Sequence, residues 1–213
     1  MLRQDVSSKI LLYFIADPSV CLGRPVADVV AAAIKGGVTM VQLRNKSGDL
    51  EQVKKAALEI QPILADSNIP FIINDHVELA AEIDADGVHI GQDDMNPQDA
   101  RDIIGPDKIL GLTAFTPEHF EALDPAIVDY VGTGPFFPTL TKPDKPVLGA
   151  KGFAELAKDS SVPVVGIGGI TGGNADQVMA AGANGIAMMR SISEADEPEA
   201  AARHLYKKID INS

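Results

Sequence analysis

Two short stretches start apolar and end in carboxylate: Ile72-Ile73-Asn74-Asp75, and Gly87-Val88-His89-Ile90-Gly91-Gln92-Asp93-Asp94. If both are strands and run parallel, their acidic ends meet on one side of a sheet. Hard oxygen ligands in that arrangement suit Mg²⁺, which keeps several waters and takes one or two carboxylates together with substrate phosphate oxygens. A strand-end Asp also commonly caps the next helix, and Asp75 stands just before Val77-Glu78-Leu79-Ala80-Ala81, a plausible first helical turn. What the other strand ends carry decides between the two.

Gln42, Arg44 and Lys46 are spaced two apart, so in an extended chain their side chains leave on one face, as an anion site would need. A solvated surface cluster has the same spacing, because Lys and Arg reach outward from strand ends. The stretch from Pro135 to Pro146 is a long loop stiffened by four prolines. Loops of that length in compact domains tend to be functional or disordered, and the prolines favour function. Thr139, Thr141 and Lys142 in it offer two hydroxyls and a cation to a phosphate, although such hydroxyls equally serve local turns. Gly166-x-Gly168-Gly169, followed by Thr171-Gly172-Gly173, lets backbone amides approach an anion unobstructed by Cβ atoms.

These residues need a scaffold, and the apolar runs outline one. Strands are expected over Leu11–Ala16, Thr39–Arg44, Phe71–Asn74, Gly87–Ile90, Ile109–Thr113, Tyr130–Gly134, Val164–Gly168 and Gly185–Met189. Helical spacing falls at Val26–Lys35, Glu51–Ala65, Val77–Ile83, Pro97–Ile104, Pro117–Leu123, Ala150–Ala157, Asn174–Ala181 and Pro198–Ile209. The strands are continuous apolar runs, as expected for parallel strands buried on both faces. Eight such units imply a (β/α)₈ TIM barrel, with a doubly wound open sheet as the alternative. No linker-like tract interrupts them, so residues 1–213 are expected to form a single (β/α)₈ barrel domain. In a barrel of this kind the active site lies at the C-terminal ends of the strands, which is where the polar residues collect.

The chain has 213 residues, 46% of them hydrophobic and 23% charged, with a formal net charge of −12. The negative charge argues against nucleic acid or an anionic membrane as partner, since either needs a basic footprint. It does not exclude a phosphorylated small molecule, which a few local cations and amides can hold. No run approaches a membrane span, and the first residues lack a signal-peptide pattern, so a cytoplasmic location is expected. The single cysteine, Cys21, fills space on this reading, and His76, His89, His119 and His204 lack zinc spacing. Oligomerisation is left open; a homo-oligomer is compatible with the sequence.

Taken together, Gln42-Leu43-Arg44-Asn45-Lys46, Asn74-Asp75, His89-Ile90-Gly91-Gln92-Asp93-Asp94, Pro138-Thr139-Leu140-Thr141-Lys142 and Gly166-Ile167-Gly168-Gly169-Ile170 resemble, in order and spacing, the thiamine phosphate synthase family. The resemblance covers nearly the whole chain. It implies a transferase that joins 4-amino-2-methyl-5-(diphosphooxymethyl)pyrimidine to 4-methyl-5-(2-phosphooxyethyl)thiazole, releasing diphosphate. By that likeness Asp75 and Asp94 hold Mg²⁺, and Gln42, Arg44, Lys46, Asn74 and Lys142 contact the pyrimidine diphosphate. Thr139, Thr141 and Gly169 match positions that hold the thiazole phosphate, with Met189 and Arg190 as neighbours.

The chain departs from the family pattern in two places, the strand-five motif and the position of Arg190. Thr113 and Phe115 stand where Ser and His are usual: Thr113 keeps a hydroxyl for the leaving diphosphate, whereas Phe115 cannot exchange a proton. Arg190 replaces a usual Ser, which leaves open whether its phosphate contact is a charged one or is lost. The family reaction is dissociative, and the thiazole nitrogen attacks through a free lone pair, so the missing His is tolerable. A related thiazole tautomerase shifts a proton and needs such an acid/base. A non-catalytic protein that binds thiamine precursors could dispense with the acidic pair, which this chain retains.

Overall fold

The computed structural model describes Arg3 and residues 6–46, 49–139 and 146–210. Its strands are β1 (Leu12–Ala16), β2 (Met40–Leu43), β3 (Phe71–Asn74), β4 (Gly87–Ile90), β5 (Ile109–Thr113), β6 (Tyr130–Thr133), β7 (Val164–Ile167) and β8 (Gly185–Met188). They pair in chain order, all parallel, and β1 also pairs with β8, so the sheet closes into a (β/α)₈ barrel. An open doubly wound sheet is thereby excluded.

Helices α2 (Val26–Lys35), α3 (Leu50–Ala65), α4 (Val77–Glu82), α5 (Pro97–Ile104), α6 (Pro117–Glu121), α7 (Gly149–Ala157), α8 (Ala175–Ala180) and α10 (Pro198–Ile209) fall where the apolar spacing places them. The single-turn elements α1 (Val6–Lys9) and α9 (Arg190–Ser193) and a 3₁₀ turn over Pro18–Val20 carry no readable period. Among the described residues, no helix is long and apolar enough to cross a membrane. Cys21 is buried, its thiol donating to the Asp17 carbonyl at 3.3 Å.

Successive residues of a strand point to opposite faces, and this splits the apolar residues into two layers. Leu12, Phe14, Val41, Leu43, Phe71, Ile73, Val88 and Ile90 face outward into the layer beneath the helices. Tyr13, Ile15, Met40, Ile72, Ile109, Tyr130, Val165 and Ala187 fill the barrel, joined by Val6 and Ile10. The interior is thus packed rather than open, and side chains at the strand ends form the floor of whatever lies above.

Candidate active site

A cavity of about 400 Å³ opens at the C-terminal ends of the strands. Gln42 from β2, Asn74 from β3 and Thr113 from β5 line it, as do Arg44, Thr139, Gly169 and Met189 from the loops beyond the strands and Arg190 from the start of α9. The size lies within the usual range for small-molecule sites. Thr141 and Lys142 lie outside the described residues.

Arg44 is held by a residue to which the sequence assigned no role. Asp17, 2% exposed just beyond β1, pairs with Arg44 Nη1 and accepts from the Ser19 backbone N–H (3.0 Å) and hydroxyl (2.6 Å). The buried carboxylate is satisfied on several sides, so the guanidinium is anchored before any anion arrives. Its only sequence signal is its place at a strand end.

Asp75 follows β3 with φ 63°, a left-handed conformation that Asp tolerates better than most side chains. Its N–H donates to the His89 carbonyl at 2.9 Å, tying the end of β3 to β4. Asp94 faces it, and Lys46 Nζ lies 3.2 Å from its carboxylate. Burial, then the charge and hydrogen bond of Asp94, raise the Asp75 carboxyl above its usual range, with Lys46 pulling the other way. Asp94 accepts from the Gly91 N–H at 2.7 Å, and a Cβ on Gly91 would lie 2.9 Å from that carboxylate, so glycine makes room for the turn. Neither Asp caps a helix: the cap positions of α4 and α5 are His76 and Asn96. Among the described residues, no group of three or more His, Cys, Asp or Glu is gathered for a metal; the acidic feature is this pair.

The glycine turn after β7 positions the far wall. Gly168 and Gly169 have φ of 97° and 65°, and a Cβ on Gly169 would come within 2.4 Å of the Pro138 carbonyl oxygen. The Phe136 and Phe137 N–H groups donate to the Ile167 and Gly168 carbonyls at 2.8 and 3.0 Å, docking the start of the long loop on this turn. Beyond β8, Arg190 pairs with Glu194 one helical turn on, while its Nε is buried with no hydrogen-bond partner among the described residues. Phe115 packs its ring edge-on against His119, with centroids 4.7 Å apart.

Of two tyrosines that the motifs overlooked, Tyr13 lines the cavity with Gln42, His89 and Thr113, and Tyr130 touches its hydroxyl from within the barrel at 2.7 Å. Gln42, 2% exposed, donates through Nε2 to the Tyr13 hydroxyl at 2.6 Å, and Thr113 Oγ1 lies 3.1 Å from His89 Nε2. Tyr13 and Tyr130 belong to apolar runs, where an aromatic ring reads as core.

The sequence profile of a family described as thiamine monophosphate synthase matches residues 12–192. The chain is 43% identical over 195 residues to a thiamine-phosphate synthase of Xanthobacter autotrophicus, covering 91% of this chain and 92% of the relative. It is 43% identical over 212 residues to one of Bacillus velezensis, covering 97% and 94%. Among solved structures, thiamine phosphate pyrophosphorylase from Pyrococcus furiosus is similar with a TM-score of 0.87 and 30% identity, covering 96% of this chain and 98% of that one. Sequence profile, near-full-length relatives and shared architecture agree, and the chain belongs to the thiamine monophosphate synthase family.

Proposed function

We propose that this chain, an enzyme of a transferase family, acts as one barrel domain in the cytoplasm and makes thiamine phosphate from the pyrimidine diphosphate and the thiazole phosphate. The observation that carries this reading is convergence: Gln42, Asn74 and Thr113 from three strands, Arg44 and Gly169 from two loops, and Arg190 from the start of α9 line one cavity.

Gln42 and Asn74 hold the pyrimidine end, and Arg44, Lys46, Thr113 and Lys142 face the diphosphate. Thr139, Thr141, Gly169, Met189 and Arg190 take the thiazole phosphate. Asp75 and Asp94 fit Mg²⁺: they are hard oxygen donors beyond adjacent strand ends, and a cation would offset both the burial of the Asp75 carboxylate and the like charge of Asp94 beside it. Such a pair leaves the remaining positions to water and substrate oxygens. When bound, Mg²⁺ supplies positive charge against the departing diphosphate.

The methylene C–O bond breaks and its electron pair leaves on the diphosphate oxygen. The cations of Arg44, Lys46 and Lys142 stabilise charge as it develops there, and they are most effective when already in place, as the Asp17 bridge holds Arg44. The aminopyrimidine ring supports the resulting methylene cation until the thiazole nitrogen forms the C–N bond with its own lone pair. No proton is removed from the nucleophile, so Phe115 in place of an acid/base is compatible with the reaction. Incubation with both substrates and Mg²⁺ should give thiamine phosphate and diphosphate in equal amounts, and omission of any component should stop it. Absence of product from the complete mixture would refute the reading.

A further inference from the structure

We propose that Tyr13, Tyr130 and His89 are positioning residues that join the Gln42 amide to the Thr113 hydroxyl through one directional hydrogen-bonded chain, so that the ligand group bound at Gln42 sets whether Thr113 donates or accepts. The proposal rests on the reading of Gln42 and Thr113 as contacts of the pyrimidine diphosphate.

The chain crosses the barrel interior in four steps. Gln42 Nε2 lies 2.6 Å from the Tyr13 hydroxyl, and that hydroxyl lies 2.7 Å from the Tyr130 hydroxyl. Tyr130 lies 3.1 Å from His89 Nδ1, and His89 Nε2 lies 3.1 Å from Thr113 Oγ1. Both tyrosines are buried in an otherwise apolar layer, where a polar group without a partner is costly. A second observation supports the path. A Cβ on Gly111 would fall 2.2 Å from Tyr130 Cζ and 2.5 Å from His89 Nδ1, so glycine stands where hydroxyl and imidazole meet.

Each hydroxyl has one hydrogen, and a neutral imidazole has one donor and one acceptor nitrogen, so the sense of one bond dictates the next. With Gln42 Nε2 donating, Tyr13 must donate to Tyr130, and Tyr130 to His89 Nδ1. His89 then carries its hydrogen on Nε2 and donates to Thr113, whose own hydrogen is left for the cavity. In this sense the Gln42 carbonyl oxygen is left to accept, as an exocyclic amine on a pyrimidine requires. Turning the amide over reverses every bond and spends the Thr113 hydrogen on His89. An amine at Gln42 therefore selects the state in which Thr113 donates to the departing diphosphate.

The test is a double-mutant cycle of Gln42→Ala and Thr113→Val, read as kcat and KM for the pyrimidine diphosphate, with and without Tyr130→Phe. With Tyr130 present, the two effects on kcat should fail to multiply by about fivefold or more; in Tyr130→Phe they should multiply. Tyr130→Phe alone should lower kcat about fivefold or more while KM for the thiazole phosphate stays unchanged. Tyr13→Phe should remove the coupling likewise, and circular dichroism identifies variants that keep the fold. Multiplicative effects in both backgrounds overturn the proposal. A measurement without substitutions tests the same bonds: nitrogen-15 NMR of the wild type with the pyrimidine diphosphate bound should show His89 protonated on Nε2, and protonation on Nδ1 overturns the proposal. A wild type without turnover would instead count against the reading of the site.

Discussion

Asp75 and Asp94 face each other from the ends of adjacent strands, with Lys46 on the Asp75 side of the pair. The Asp94 carboxylate bonds one local N–H, that of Gly91, so its removal should leave the barrel intact. Asp94→Ala is expected to lower Mg²⁺-dependent kcat/KM on the order of 10²-fold, the scale for losing one preorganised charge-stabilising element. Steady-state kinetics across a Mg²⁺ titration, beside a far-UV spectrum, checks this. Activity near that of the wild type would take Asp94 out of the metal site.

Asp17→Asn keeps an acceptor for the Ser19 N–H but removes the charge that fixes Arg44. The stability cost should be about 1–3 kcal/mol, the range for a charged hydrogen bond. The kinetic effect should fall on the pyrimidine diphosphate, with kcat/KM down about tenfold, because Arg44 loses its preset position. Unchanged kinetics with lowered stability would make the pair structural only.

Gly169→Ala forces a Cβ onto a residue at φ 65° and within 2.4 Å of the Pro138 carbonyl oxygen. Backbone strain alone costs about 1 kcal/mol or more, and the contact displaces the loop that carries Thr139. The expected result is a raised KM for the thiazole phosphate and a lowered Tm. A normal KM would separate this turn from phosphate binding.

Burial pushes the Tyr13 phenol well above the usual tyrosine value, and burial with the neighbouring Tyr13 does the same to Tyr130. A proton held more tightly in the folded state is released on unfolding once pH passes the unfolded value of about 10. Stability from these groups is therefore complete below that pH and is lost as pH rises from it toward the native values. Denaturant titrations from pH 9 upward should show a falling unfolding free energy, with a shallower fall in Tyr13→Phe. An equal slope in both proteins would contradict it.

Phe115→His places an acid/base candidate beside His119, against which Phe115 now packs. Since the thiazole nitrogen needs no deprotonation, coupling should change less than about threefold, well short of the usual contribution of a working general base. A large gain in kcat would show that strand five carries a proton transfer.

The residues that line the cavity from the β2, β3 and β5 ends are readable in the chain because each motif is local. Gln42-x-Arg44 on and just after β2 and Asn74 on β3 sit at or within a residue or two of a strand end, as the Gly168-Gly169 turn does after β7, and short apolar runs locate the strands nearly to the residue. The one-turn helices α1 and α9 escape because a single turn has no period.

What the sequence determines alone is eight buried parallel strands with polar ends, since the chain must alternate apolar runs with amphipathic helices to bury both faces of such a sheet. It cannot say which face of a run turns inward, because both faces are apolar. Only closure of β8 on β1 puts Tyr13 and Tyr130 inside and Leu12 and Phe14 outside, and so aligns the two phenols with Gln42 and His89. Pairing of β1 with β2 and of β3 with β4 brings Asp17 to Arg44 and Asp75 to Asp94 across strand ends, and these contacts depend on register, which no local spacing encodes.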